Sequence, residues 1–124
     1  MDNSPPQALV MVVDDDVLER MGASDMFSHA GYRVIEAGSA AEALRLFEAN
    51  ADIRLLFTDV SMAGSMNGAD LACDVARRWP EIGVIVTSGR PRPEKLPSGM
   101  RFHDKPYEPK AVLRQATALT IARH

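Results

Sequence analysis

One cysteine, Cys73, stands among 124 residues, so no disulfide can close within the chain and its core must hold by packing alone. No apolar run approaches the roughly 18–20 residues that cross a bilayer, and no charged-then-apolar leader opens the sequence. A soluble, cytoplasmic protein is the expectation. Basic patches are missing too: 14 Lys and Arg are scattered among 17 Asp and Glu, for a net charge of −3, which argues against a surface for nucleic acid. The three histidines, His29, His103 and His124, have no spacing that suits a shared metal. Repeats and low-complexity segments are absent as well.

What is there reads as one domain, long enough to bury a core unaided. Residues 1–7, "MDNSPPQ", are polar with paired prolines and are expected to be a flexible tail before a domain spanning 8–124. From Leu9 onward, short β-rich runs alternate with segments of helical period, the pattern of a parallel sheet covered on both faces. The strand candidates are Leu9–Val13, Tyr32–Ala37, Ile53–Thr58, Gly83–Thr87 and Arg101–His103. "LVMVV" and "VIV" are continuously apolar, as central strands buried on both sides should be.

The first helix is expected from about Asp16 to Ala30, with Leu18, Gly22, Met26 and Ala30 facing inward and Gly31 stopping it. The second opens at "SAAE", where Ser39 and Glu42 have capping-box spacing, and buries Ala40, Ala43, Leu44 and Phe47. The third follows Gly68 with Leu71, Ala72, Val75 and Trp79 inward, and Pro80 ends it. The last begins at Pro109 and carries Val112, Leu113, Ala116, Leu119 and Thr120 on one side. Between Thr87 and Arg101, "SGRPRPEKLPSGM" holds three prolines, so the crossover helix there is expected to be short or irregular.

Ligands of an open parallel sheet bind at the carboxyl ends of its strands, where the strand order reverses. Asp14 and Asp15 end the first strand, Asp59 the third, and Thr87 and Ser88 the fourth, while Lys105 follows the fifth. Crowded carboxylates repel by about a few kcal/mol per pair at an effective dielectric near ~20 unless a cation intervenes. An all-oxygen set favours Mg²⁺ or a similar hard ion. Asp16 is read as the cap of the first helix rather than a metal ligand.

Four motifs in order, "VVDDD", "FTDVSM…NGADLA", "VTSG" and "FHDKPY", resemble the receiver domain of bacterial two-component response regulators, over essentially Leu9 to Ala122. The resemblance implies a flavodoxin-like (βα)₅ fold with strand order 2-1-3-4-5. It implies Asp59 as the phosphoacceptor, Asp14 and Asp15 with the Ser61 carbonyl as Mg²⁺ ligands, Lys105 paired with the phosphoryl group and the Thr87 hydroxyl bonded to one of its oxygens. Phe102 matches the family's aromatic switch, and the Lys105–Pro106 bond is expected to be cis. The phosphoryl group would come from a sensor histidine kinase or a histidine phosphotransfer protein, docking over Val17, Met21, Pro106 and Tyr107. Output would be contact with an unknown downstream protein.

Departures from the family pattern are Ala63 in place of a proline, one extra residue in "AGSMNG", and the broken crossover helix, which looks like that of receivers acting without the common dimer face. His103 stands where the family has an aliphatic residue and is expected to be partly buried and hydrogen-bonded. Alternatives are an aspartyl-phosphate phosphatase, which "DVS" fits poorly against "DxDxT", and a docking-only receiver-like module, which would be expected to lose Asp59, Thr87 or Lys105. A flavodoxin-like cofactor binder is disfavoured by acids where an anion would sit.

Overall fold

The computed structural model describes residues 8–60, 67–89 and 100–121. Five strands, β1 Leu9–Val13, β2 Arg33–Ala37, β3 Ile53–Asp59, β4 Gly83–Ser88 and β5 Arg101–Asp104, form one parallel sheet in the order β2-β1-β3-β4-β5. Helices α1 Val17–His29, α2 Ala40–Ala49, α3 Gly68–Arg78 and α4 Pro109–Ile121 cover it. The parallel sheet is the one the sequence pattern predicted, and the strand order is the one the resemblance implied. The proline-rich crossover at 90–99, the tail at 1–7, and Ser61 and Ala63 lie outside the described residues.

Side chains alternate across a strand, and the two faces divide accordingly. Met11, Val13, Leu56, Val84 and Val86 meet Ala40, Ala43 and Phe47 of α2 and Leu71, Ala72 and Val75 of α3. Val10, Val12, Leu55, Phe57 and Ile85 meet Ala23 and Phe27 of α1 and Val112 and Ala116 of α4. Every residue of β1 and β4 is buried, as their unbroken apolar runs predicted. The second face is aromatic. Phe27 meets Tyr32 edge-on with centroids 5.7 Å apart and Phe57 at 5.2 Å, and Phe57 in turn meets Tyr107 at 5.5 Å.

Helix ends follow the sequence closely. Asp16 caps α1 by accepting the Glu19 N–H at 3.0 Å, so its expected capping role holds. At the other end the Gly31 N–H bonds Ser28 O and the Tyr32 N–H bonds Phe27 O, both at 3.0 Å. Gly31 sits at φ 100°, a left-handed conformation in which a side chain is strained, and the pair of bonds makes a Schellman stop. Trp79 closes α3, stacked on Phe47 at 5.3 Å with the Arg78 guanidinium 4.4 Å from its ring centre. His103 is part-buried and bonded to Gln115 Oε1 at 2.6 Å.

The inward face of α1 is a correction. Its buried residues are Ala23, Ser24 and Phe27, and Met26 packs part-buried against the second core face as expected, while Leu18 is 79% exposed and Gly22 and Ala30 also face solvent. At 3.6 residues per turn Leu18 stands on the side of the helix opposite Phe27, so a stripe drawn forward from Leu18 starts on the solvent face. Phe27, the largest apolar side chain of the helix, sets the phase by burying itself completely, worth about 2–3 kcal/mol.

Candidate functional site

The register levels the carboxyl ends of the strands. Val13 pairs with Ala37 on one side and Thr58 on the other, Asp59 with Thr87, and Ser88 with Asp104. Backbone bonds stitch the residues just beyond: Asp14 N–H to Ala37 O at 3.2 Å, Val60 N–H to Thr87 O at 2.8 Å and Lys105 N–H to Ser88 O at 2.8 Å. Asp14, Asp59, Thr87 and Lys105 are thereby brought to one edge, where with Glu19 and Tyr107 they line a cavity of about 200 Å³ floored by Val12, Ala23 and Phe57.

Gly68 fixes how deep Asp59 sits. A Cβ on Gly68 would lie 1.7 Å from the Asp59 carbonyl oxygen, so α3 can start against the end of β3 only with glycine there. Its N–H bonds Val60 O at 2.8 Å. Just before it, Asn67 and Asp70 make a reciprocal capping box that anchors the start of the helix.

Lys105 organises the charge. Its Nζ lies 3.3 Å from Asp59 Oδ2 and 3.8 Å from Asp14 Oδ2, and it donates a hydrogen bond to Glu19 Oε1. Burial pulls the ammonium pKa down, but the Glu19 bond and the charges of Asp59 and Asp14 outweigh it and leave the group above its ordinary value. The peptide bond from Lys105 to Pro106 is cis, as expected. Burial pushes the Asp14 carboxyl up to about 6; the Asp16 N–H at 2.9 Å and Lys105 offset part of that, and the charges of Asp59 and Glu19 add to it.

The other sequence candidates divide. Thr87 is buried at the cavity wall. Asp15 is exposed, and Ser61 lies outside the described residues. Phe102 is part-buried against the first core face. Val17 and Met21 are 55% and 52% exposed, Pro106 is exposed, and Tyr107 is half-buried at the cavity, where burial raises its phenol pKa. Two contributors escaped the sequence reading as site residues. Glu19 stands in the first turn of α1, where an acid suits the helix start in its own right. Arg20 donates from Nη1 to the Asp14 carbonyl at 2.7 Å and from Nε to Glu36 Oε1 at 3.1 Å, bracing the end of β1. An arginine one helical turn past the acids and an acid at the facing end of β2 were the available signals.

The donor set suits a hard divalent cation. Among the described residues no three His, Cys, Asp or Glu side chains form a ready-made cage. A cation that keeps most of its waters needs only one or two carboxylates, and the buried pair Asp14 and Asp59, sharing Lys105 with a third acid, supplies them.

An open parallel sheet with buried acids and a lysine gathered at its topological switch point is an α/β domain built to act at its carboxyl edge. Residues 10–114 match the response regulator receiver domain, and the chain belongs to that family, the receivers of two-component systems. It is 36% identical over 104 residues to the putative two-component response regulator ARR21 of Arabidopsis thaliana, covering 81% of this chain and 17% of that one. It is 34% identical over 83 residues to the sensor kinase CckA of Brucella abortus, covering 66% and 9%. With the chemotaxis protein CheY1 of Helicobacter pylori the identity is 39% over 80 residues, covering 62% and 64%. The alignments thus span less than two thirds of each of these relatives. Among solved structures, the response regulator TrrA of Thermotoga maritima, in complex with Mg²⁺ and BeF, superposes with a TM-score of 0.83 at 19% identity, covering 91% of this chain and 99% of that one. No helix among the described residues is long and apolar enough to cross a membrane.

Proposed function

We propose that the chain is a phosphoacceptor: Asp59 takes a phosphoryl group from the phosphohistidine of a histidine kinase or a histidine phosphotransfer protein, in a Mg²⁺-dependent reaction. The observation that carries this reading is the placement of the Lys105 ammonium 3.3 Å from the buried Asp59 carboxylate, with the Asp14 carboxylate 3.8 Å away. A new P–O bond forms to an Asp59 carboxylate oxygen as the P–N bond to the donor histidine breaks, and the imidazole leaves with the electron pair. Water later cleaves the acyl phosphate and returns the carboxylate.

Phosphoryl transfer asks for alignment and charge neutralisation more than covalent help. Lys105 neutralises charge on the phosphoryl oxygens, and the Thr87 hydroxyl donates a hydrogen bond to one of them. Asp14, Asp15, Asp59 and the Ser61 carbonyl would hold Mg²⁺, which when bound adds positive charge beside the group being transferred. The Mg²⁺ complex of TrrA supports that choice of ion. Phe102 reports the state of the site by its packing, and signalling proceeds by protein contact. The partner approaches over Val17, Met21, Pro106 and Tyr107, and the similarity to the sensor kinase CckA supports a partner of the histidine-kinase class.

Incubation with Mg²⁺ and acetyl phosphate tests the reading. The expected product is an acid-stable, hydroxylamine-labile phosphate that is lost in Asp59→Ala while the variant still unfolds cooperatively. Undiminished labelling of Asp59→Ala would falsify the assignment.

A further inference from the structure

Among the described residues Lys105 has three carboxylate neighbours, and the two on strand ends are accounted for by the phosphoacceptor reading; the third, Glu19, is not. Its contact with Lys105 is the closest of the three. Glu19 is also no loose surface acid. Its own backbone N–H is the one held by the Asp16 cap at 3.0 Å, so the first turn of α1 fixes where its side chain departs. One turn further on, Gly22 lines the cavity and a Cβ there would touch nothing within 4 Å, which leaves the space beside the pair open.

We infer that Glu19 is a positioning residue that draws the Lys105 ammonium toward the mouth of the pocket and so sets how much of its charge remains for Asp14 and Asp59. The inference rests on the phosphoacceptor reading for its kinetic half only. Two consequences of opposite sign follow. With Lys105 shared, the two buried carboxylates stay incompletely compensated and attract a divalent cation more strongly. When a phosphoryl group arrives on Asp59, however, Lys105 must give up Glu19 to meet it, and uptake is slowed.

The test compares the wild-type chain with Glu19→Gln, which keeps the side chain's size and removes its charge. Mg²⁺ alone, titrated by NMR, should bind about three- to tenfold more weakly to the variant, the size expected of one partly screened charge a few ångströms away. At saturating Mg²⁺, labelling by acetyl phosphate should become about two- to fivefold faster, and the Lys105 Nζ resonance of the metal-free protein should shift. A residue that merely stabilised α1 would lower both quantities or neither. Unchanged Mg²⁺ affinity in Glu19→Gln, or affinity and labelling rate falling together, overturns the inference. Should the wild-type chain bind Mg²⁺ yet take no label, the phosphoacceptor reading fails, and the Mg²⁺ comparison still decides whether Glu19 acts.

Discussion

Helices α1 and α2 both open with an oxygen-bearing cap and a glutamate three residues later, Asp16 with Glu19 and Ser39 with Glu42, and in both the cap accepts the glutamate's own N–H. Beyond that they part. Glu42 folds back onto its helix start and accepts the Gly38 N–H at 2.8 Å, whereas Glu19 reaches across the strand ends to Lys105. Their flanks differ in the same sense. Helix α2 buries Ala40, Ala43 and Phe47, while α1 is held to the sheet in its second half by Ala23 and Phe27 and leaves Val17, Leu18 and Met21 more than half exposed. One helix spends its signature on its own stability, the other turns it toward the site.

The sharpest way to test how α1 is held is to remove its anchor. Phe27 is fully buried and meets Tyr32 and Phe57 edge-on, so Phe27→Ala should lower unfolding free energy in urea by about 3–5 kcal/mol. Leu18→Ala, in the stripe that a fixed four-residue step would have chosen, should change it by less than about 0.5 kcal/mol. Equal losses at the two positions would mean that the helix docks in the other phase.

Next in size is the price of the acidic pocket. Because burial raises Asp14 to about 6 from an unfolded value near ~3.9, its ionisation opposes folding. The penalty is fully present above pH 6, fades as pH falls toward the unfolded value, and is absent below it. In the metal-free protein Asp14→Asn should therefore be stabilising near neutral pH by at most about 3 kcal/mol, less after screening by water at the pocket mouth. Chemical unfolding of both proteins between pH 7.5 and pH 4 (about neutral to the carboxylate range) checks the sign: the advantage of Asp14→Asn should shrink as pH drops. An advantage that grows on acidification would contradict the burial argument.

The exposed half of α1 makes a smaller, purely kinetic difference. Met21→Glu places a charge on the rim that a phosphodonor helix would cross, and should slow transfer from the cognate kinase about tenfold, the equivalent of ~1.4 kcal/mol. Labelling by acetyl phosphate, which needs no docking surface, should stay within about twofold. If substitutions within residues 91–97 block kinase transfer and Met21→Glu does not, the partner uses another face.

Much of this was legible in the sequence. A parallel sheet aligns the carboxyl ends of its strands, so residues that follow apolar runs, Asp14, Asp59, Thr87 and Lys105, could be placed on one edge without knowing any distance. Capping and glycine stops are local, and Asp16, Ser39 and Gly31 were readable for that reason. The phase of α1 was not, because it is set by contacts of Phe27 with Phe57, thirty residues away by number. Glu19 escaped for a related reason: its partner lies 86 residues on, and nothing within a helical turn distinguishes an acid that caps from one that reaches over. Gly68 was visible within "NGADLA" at the start of the third helix, but its reason was not, since the clash it avoids is with the backbone of another element.

The smallest expected effect separates the two glutamates most directly. Glu42→Ala removes the acceptor of the Gly38 N–H and should cost about 0.5–1.5 kcal/mol of stability, the ordinary net value of one such bond. Its Mg²⁺ affinity should not move, because its hydrogen bond serves the start of α2 and it does not line the cavity. Glu19→Gln should behave in reverse. Its pair with Lys105 is half-exposed on the acid's side, so the lost ion pair is worth about 0–1 kcal/mol, and relief of repulsion from Asp14 and Asp59 offsets part of that. Thermal unfolding and Mg²⁺ titration of the two variants side by side would show stability moving in one and cation affinity in the other. If both variants lost stability alike and neither changed its affinity, Glu19 would be a second helix cap and the contrast between α1 and α2 would disappear.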